Sequence, residues 1–333
     1  MATCRIFLTT YRRHATLPRA INSLLEQTVT DWVCEVHNDD PSDPFPRQLV
    51  EKIADPRIKI VDHPKNFGAT YTFNLPFHPV QEEFVSILED DNWWEPDFLE
   101  IMIKTMEQFP QVQVAWANAR CWREERDGTW VESDRTIWSI PETATPQLFN
   151  WGDPRQIFAA LHSNGTMLVR SQSAPNYTVP EQTPFDGTEV ARERSFKFPI
   201  LLVPKVCANY AQVTQTTARS DNRILWEQMQ TLFAASFLKH VPLSAETIKQ
   251  VWQTARQKIA RSTNTLFFAA IVCPTNWYIL KYATLSDWLF FIGSCLKHPI
   301  AAGRICCAIA AYPELWQFLD TQTALRSREE GFC

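Results

Sequence analysis

The first 117 residues alternate between two hydrophobic periods, and this alternation constrains the fold more than any other feature of the chain. Short apolar runs fall at residues 5–9, 32–37, 58–61, 84–88 and 112–117. Helical spacing fills the gaps at 17–26, 45–53, 66–75 and 96–109. In the first of these, Leu17, Ile21, Leu24 and Leu25 share one face; Pro18 and Pro96 stand in first turns, where a missing N–H costs nothing. Strands separated by helices of this length predict an α/β fold, with a mostly parallel central sheet flanked by helices. A chain of 333 residues is long enough to give such a sheet a sizeable core.

The pattern changes after residue 120. Residues 121–132 read as a hairpin turning at Asp127-Gly128, and 166–169 and 201–206 read as strands. Pro- and Thr-containing segments at 141–146 and 173–184 separate them. Further on, Ser220-Asp221-Asn222 and Ser244 stand as caps before helically spaced apolar residues. The expected division is an α/β domain over 1–218 and a helical C-terminal region over 219–333.

Several function classes are excluded. Net charge is -5 with no long basic run, which argues against duplex nucleic acid as a partner. No GxxxxGK[ST] or GxGxxG occurs, and the 7 histidines form no HExxH or HxH, so nucleotide triphosphatase, dinucleotide oxidoreductase and zinc hydrolase readings fail. The 9 cysteines form no CxxC, and buried reduced thiols in a cytoplasmic protein are expected, Cys306-Cys307 among them. The start MATCRIFLTTYRRH lacks signal-peptide character, and no apolar run reaches the ~18 residues of a membrane span.

In open α/β sheets, ligands bind beyond the carboxyl ends of the strands. Three polar clusters fall at such ends: Thr10-Tyr11-Arg12-Arg13, Asn38-Asp39-Asp40 and Glu89-Asp90-Asp91. Adjacent like charges raise one another's pKa and cost stability, and a divalent cation such as Mg2+ or Mn2+ removes that cost. Strand alternation would face Glu89 and Asp91 to one site and turn Asp90 aside. The alternative is a solvated acidic turn.

These elements together resemble a family 2 glycosyltransferase of GT-A fold. The resemblance rests on Thr10-Tyr11-Arg12-Arg13, on Gln27-Thr28 closing the first helix, and on Asn38-Asp39-Asp40-Pro41-Ser42-Asp43. It continues through Asn66-Phe67-Gly68 with Asn74 and ends in Glu89-Asp90-Asp91 before Trp94-Glu95-Pro96-Asp97. It implies an inverting enzyme of polysaccharide-biosynthesis type, taking a nucleotide sugar, UDP favoured, and a glycan, lipid-linked or other hydroxyl acceptor. Asp39 would bond the base, while Thr10, Tyr11, Arg13, Asn66, Gly68, Glu89 and Asp90 would line the donor pocket. Asp91, with Glu89 in place of the usual first Asp, would hold Mg2+ or Mn2+. Asp186 would serve as general base, with Glu189 second. A non-catalytic relative that binds sugar nucleotides is the alternative. The basic group Arg192, Arg194 and Lys197 reads either as an anion contact or as a solvated helix face. The C-terminal helices are expected to pack on the catalytic part or a second subunit, with peripheral membrane contact as the alternative. A near-balanced tail charge argues against anionic lipid, and an exposed apolar stripe would reverse that preference.

Overall fold

A computed structural model describes residues 2–125, 127–212, 222–257 and 261–332. The chain forms two compact units. The first comprises Met1–Asn150, His162–Thr178 and Phe196–Ala218, and the second Trp151–Leu161, Val179–Ser195 and Arg219–Cys333.

The first unit holds β1 (Cys4–Thr10), α1 (Leu17–Leu25), β2 (Trp32–Asn38), α2 (Phe45–Ile53), β3 (Ile58–Asp62), α3 (Ala69–Thr72) and β4 (Phe84–Glu89). It continues with β5 (Trp93–Trp94), α4 (Phe98–Gln108), β6 (Val114–Glu124), β7 (Trp130–Thr136), β8 (Gln147–Phe149), β9 (Met167–Arg170) and β10 (Ile200–Gln212). One sheet runs β3-β2-β1-β4-β9-β6-β10-β5, with β7 added to β6 and β8 to β10. The β3-β2-β1-β4 half is parallel throughout, and β9 enters antiparallel between β4 and β6.

The two periods explain this packing. Cys4, Ile6 and Leu8 alternate along β1 onto one face, where they join Leu17, Ile21 and Leu24 of α1 in a single buried cluster. Met102 and Met106 of α4 close the same cluster. Each large aliphatic side chain buried this way contributes about 1.5–3 kcal/mol.

The structure departs from the sequence reading at prolines and at strand ends. Instead of a helix over 66–75 there is the single turn α3, followed by a 3-10 turn at Leu75–Phe77. Pro76 lacks the N–H that would continue it. The run at 112–117 and the first arm of the hairpin fuse into the long strand β6, and the hairpin turns at Gly128 with φ 82°. The expected strand at 201–206 is the 13-residue β10. Pro204 would end an ordinary central strand, but the register with β6 shifts between Val203 and Val206 and again between Val206 and Ala208. Bulges at these places absorb the missing donor.

The second unit is helical: α5 (Thr188–Glu193), α6 (Arg223–His240), α7 (Ala245–Gln257), α8 (Arg261–Val272), α9 (Leu285–Lys297), α10 (Pro299–Cys306), α11 (Ala308–Ala311) and α12 (Pro313–Glu329). Met229, Leu232 and Phe233 of α6 share a buried cluster with Val190 of α5 and Leu315 and Leu319 of α12. Asn222 caps α6, its side chain accepting from Leu225 N at 3.2 Å, while Ser220 and Asp221 lie outside the described residues. Ser244 accepts from Thr247 N at 3.1 Å.

Two expectations are corrected here. Arg192 and Arg194 form no solvated face: both are fully buried, and the Arg194 guanidinium donates to Gln156 O at 2.6 Å. Burial lowers Arg192 to about 9 and Arg194 to about 10. Lys197 alone of that group is exposed. Cys306 and Cys307 are exposed thiols rather than buried ones, although Cys4, Cys34, Cys121, Cys207 and Cys273 are buried as expected. Among the described residues no helix is long and apolar enough to cross a membrane.

Candidate active site

The strands β2, β1 and β4 lie side by side and parallel, so their carboxyl ends share one sheet edge. Thr9 is in register with both His37 and Glu89, and Thr10 with Asn38. The three polar clusters therefore meet around the end of β1, where α/β sheets bind ligands. Asp39 N donates to Thr10 O at 2.9 Å on one side, and Tyr11 N donates to Asp90 Oδ2 at 3.4 Å on the other. Arg12 turns the chain there with φ 56°, a left-handed conformation costing an L-residue roughly 1–2 kcal/mol. Tyr11 is exposed, whereas the Arg13 side chain is mostly buried.

The turn after β2 is saturated with donors. Asp39 Oδ1 accepts from His63 Nδ1 at 2.8 Å and from Phe67 N at 2.9 Å, and Oδ2 accepts from Gly68 N at 2.9 Å. The carboxylate thus shapes the Asn66-Phe67-Gly68 loop; Gly68 itself has φ 85°, which favours glycine. Asn66 is exposed at the loop's rim. Behind Asp39, His63 Nε2 faces His37 Nδ1 at 3.1 Å, and His37 Nε2 faces Glu35 Oε2 at 3.2 Å. Glu35 also accepts from Arg5. Both outer ring nitrogens face carboxylate oxygens, which can only accept. The bond with His37, then the charge of Arg5, holds the Glu35 carboxyl below its usual range against the opposing effect of burial. Asp40 accepts from Ser42 Oγ at 2.6 Å, from Ser42 N at 3.0 Å and from Arg12 Nε at 2.6 Å. These bonds, led by the Ser42 hydroxyl, draw its carboxyl down to about 2.

The turn after β4 is different. The strand stops at Glu89, so the alternation expected of 89–91 does not carry past it, and Asp90 is not turned aside from Asp91. Arg13 reaches both, Nε standing 3.9 Å from Asp90 Oδ1 and a terminal nitrogen 3.8 Å from Asp91 Oδ2. Burial first, and then the charge of Asp91, pushes the Asp90 carboxyl up to about 7. Glu89 accepts from the Asn92 amide and lies against Gly165, where an added Cβ would come within 2.8 Å of Glu89 Oε2. Arg19 ties down the turn by donating to Asp91 O at 2.8 Å, its guanidinium 3.7 Å from the Trp93 ring centroid and 4.3 Å from that of Trp130. Burial lowers Arg19 to about 10.

The donor chemistry fits a hard divalent cation. The carboxylates of Asp90 and Asp91 lie together beside Arg13, and the Asp90 carboxyl is buried. Among the described residues no three or more His, Cys, Asp or Glu side chains form a ready-made cage. A Mg2+ or Mn2+ ion at this turn would take one or two protein carboxylates and draw its remaining oxygens from water and substrate phosphate.

Supports for this edge come from residues distant in sequence. Gln27 Nε2 donates to Glu95 O at 2.8 Å and its Oε1 accepts from Leu99 N at 3.0 Å, while Thr28 N donates to Pro96 O at 2.8 Å. The Gln-Thr pair therefore anchors the segment after the acidic turn. His63, Arg19, Asn92 and Gly165 were missed by sequence reasoning; only the chain's shortage of glycine, 8 in all, marks Gly165 as worth asking about. Asp186 and Glu189 lie in the second unit, both half-buried, on the 3-10 turn Phe185–Gly187 and on α5. Gly187 packs so closely on α6 that an added Cβ would stand 3.0 Å from the Phe233 ring.

Comparison with known proteins agrees with this geometry. The family model for glycosyl transferase family 2 matches residues 5–160, covering β1 through β8. A UDP-Glc:alpha-D-GlcNAc-diphosphoundecaprenol beta-1,3-glucosyltransferase, WfgD of Escherichia coli, is 30% identical over 101 residues, 30% of this chain and 40% of that one. The chain spans about two-fifths of the length of such curated relatives. Among solved structures, S. aureus TarS 1-349 aligns with a TM-score of 0.56 at 15% identity, over 99% of this chain and 90% of that one. The same protein in complex with UDP aligns with a TM-score of 0.57 at 13% identity, with the same coverage. The fold is of GT-A type, and residues 5–160 are similar to glycosyl transferase family 2.

Proposed function

We propose that this chain transfers a sugar from a nucleoside diphosphate donor, UDP favoured, to a hydroxyl acceptor with inversion at the anomeric carbon. The observation that carries the reading is the meeting of Thr10-Tyr11-Arg12-Arg13, Asn38-Asp39-Asp40 and Glu89-Asp90-Asp91 at one sheet edge. The names of similar proteins support the donor class: WfgD is a UDP-Glc transferase, and TarS has been solved with UDP and with UDP-GlcNAc.

In this reading Thr10, Tyr11, Asn66 and Gly68 line the nucleotide pocket. Asp39 has one lone-pair direction left on Oδ2 for a base N–H after its three internal bonds. A divalent cation held by Asp91, with Glu89 beside it, would supply charge neutralisation at the departing diphosphate. Arg13 adds a fixed positive charge next to both aspartates. Asp186 takes the proton of the acceptor hydroxyl as that oxygen attacks the anomeric carbon, and the electron pair of the breaking C–O bond leaves with the nucleoside diphosphate. Glu189 is the second choice for base. The acceptor is a glycan, a lipid-linked glycan or another hydroxyl compound.

A panel of nucleotides and nucleotide sugars, read by thermal shift with and without Mn2+, tests the donor site, since a ligand that binds only the folded state raises its apparent stability. UDP is expected to stabilise the protein, and more so with Mn2+. Asp186→Ala is expected to keep that shift and to lose donor turnover by about 10²–10⁴-fold. No shift with any nucleotide would overturn the reading. Full turnover in Asp186→Ala would remove Asp186 as the base and pass the role to Glu189.

A further inference from the structure

Helix α9 carries its apolar face outward. Leu285, Leu289, Ile292 and Leu296 recur at the i, i+4, i+7, i+11 spacing of one helix face and are 75%, 62%, 48% and 77% exposed. On α10, Ile300 continues the exposed apolar surface at 75%. The opposite side of α9 is the seated one: Asp287 and Phe291 are buried, and Phe291 stacks on Phe267 of α8 at 4.5 Å between ring centroids. Trp277 is 62% exposed nearby in sequence, and Trp288 38%. A stripe of this length facing water is uncommon in a soluble monomer and marks an interaction surface.

The charges around the stripe point to its occupant. Between residues 274 and 312 the cations are Lys281, Lys297 and Arg304, all exposed. The one carboxylate there, Asp287, is buried and bound to Arg256 at 2.7 Å. Within 274–312 the exposed charges are therefore all positive, and Glu227, which lines the groove beside α10, is paired with Arg223. Cations, tryptophans and a continuous leucine-isoleucine stripe are the three components of a helix that lies in a membrane interface. At 13 residues α9 is ~20 Å long, too short for the ~30 Å hydrocarbon core. A second copy of the chain is the poorer fit, because a two-fold contact through this face would set the exposed cations of 274–312 against one another.

We propose that α9 and α10 form a docking surface for an anionic lipid bilayer, lying along it with the stripe sunk below the headgroups and Lys281, Lys297 and Arg304 at phosphate level. This stands independently of the sugar-transfer reading.

Flotation of the full chain with vesicles tests it. Binding is expected to vesicles containing phosphatidylglycerol and to be much weaker to pure phosphatidylcholine. The double variant Leu289→Glu/Leu296→Glu should lose binding at least tenfold, and Lys297→Glu and Arg304→Glu should weaken it by about fivefold or more each, the effect of one cation near an anionic surface. All four positions are exposed, so circular dichroism should be unchanged. Failure to float with any vesicle would overturn the proposal. So would a dimer in solution that the leucine variants convert to monomer, which would place a second copy on the stripe.

Discussion

Two acidic turns close the parallel strands on either side of β1, and they end in opposite chemical states. After β2, Asp39 and Asp40 are surrounded by donors, and the Asp40 carboxyl falls to about 2. After β4, Asp90 has a backbone N–H at 3.4 Å and a guanidinium at 3.9 Å, and its carboxyl rises to about 7. Residue type and position on the sheet are the same; the supply of donors differs. The first turn is completed by the protein's own groups and gives the crevice a fixed wall. The second sets a buried carboxyl beside a second aspartate, and there burial outweighs the groups that would hold the charge.

The largest expected effect comes from breaking the completed turn. Asp39→Ala would strand the His63 ring nitrogen and the N–H groups of Phe67 and Gly68, all of which lose their acceptor at once. Removing one partner from a buried charged network costs about 3–5 kcal/mol, and the loss should appear in urea unfolding. The loop at 66–68 should also gain amide exchange. If Asp39→Ala were as stable as wild type, the β2 turn would not be the finished half of the pair, and the contrast with β4 would fail.

The second effect has the opposite sign. In metal-chelating buffer the folded Asp90 titrates near 7, while an unfolded aspartate titrates near ~3.9. Between those values the folded state holds the extra proton, so stability falls as pH rises through this window and levels off above it. Asp90→Asn removes the liability. It should be close to neutral at pH 4 and stabilising by about 2–4 kcal/mol at pH 8. Thermal melts at the two pH values check this. An equal effect at both would mean that desolvation does not govern the β4 turn.

The contrast also separates what could be read in the sequence from what could not. The strands and helices of the first half follow from local period: α2 lies at Phe45–Ile53, where spacing places it, and β1, β2 and β4 end within a residue or so of their apolar runs. Because those runs end in polar clusters, the meeting of three clusters was legible too. Their states were not, since donors come from far along the chain. His63 is 24 residues from Asp39, and Gly165 is more than seventy from the Glu89 carboxylate it admits. Pro204 misled in the same way: locally it ends a strand, and only the bulged pairing with β6 shows that β10 runs past it. The outward stripe on α9 has the spacing of a buried face, and only packing shows which side is seated.

The smallest expected effect sharpens the account of the completed turn by asking which donor matters more. Asp40 is held down first by the Ser42 hydroxyl and then by Arg12, whose side chain is 63% exposed and therefore well screened by water. Ser42→Ala should raise the Asp40 titration further than Arg12→Ala does, and neither alone should bring it to the ordinary carboxylate range. Carboxyl carbon NMR titrations of the two variants measure this. Because the folded carboxyl is depressed, its contribution to stability is present above the unfolded pKa and lost as pH falls toward 2. Both variants should therefore lose some resistance to acid, Ser42→Ala more. The reverse order would mean that the ion pair governs, and that the β2 turn, like the β4 turn, depends on an arginine from the loop after β1.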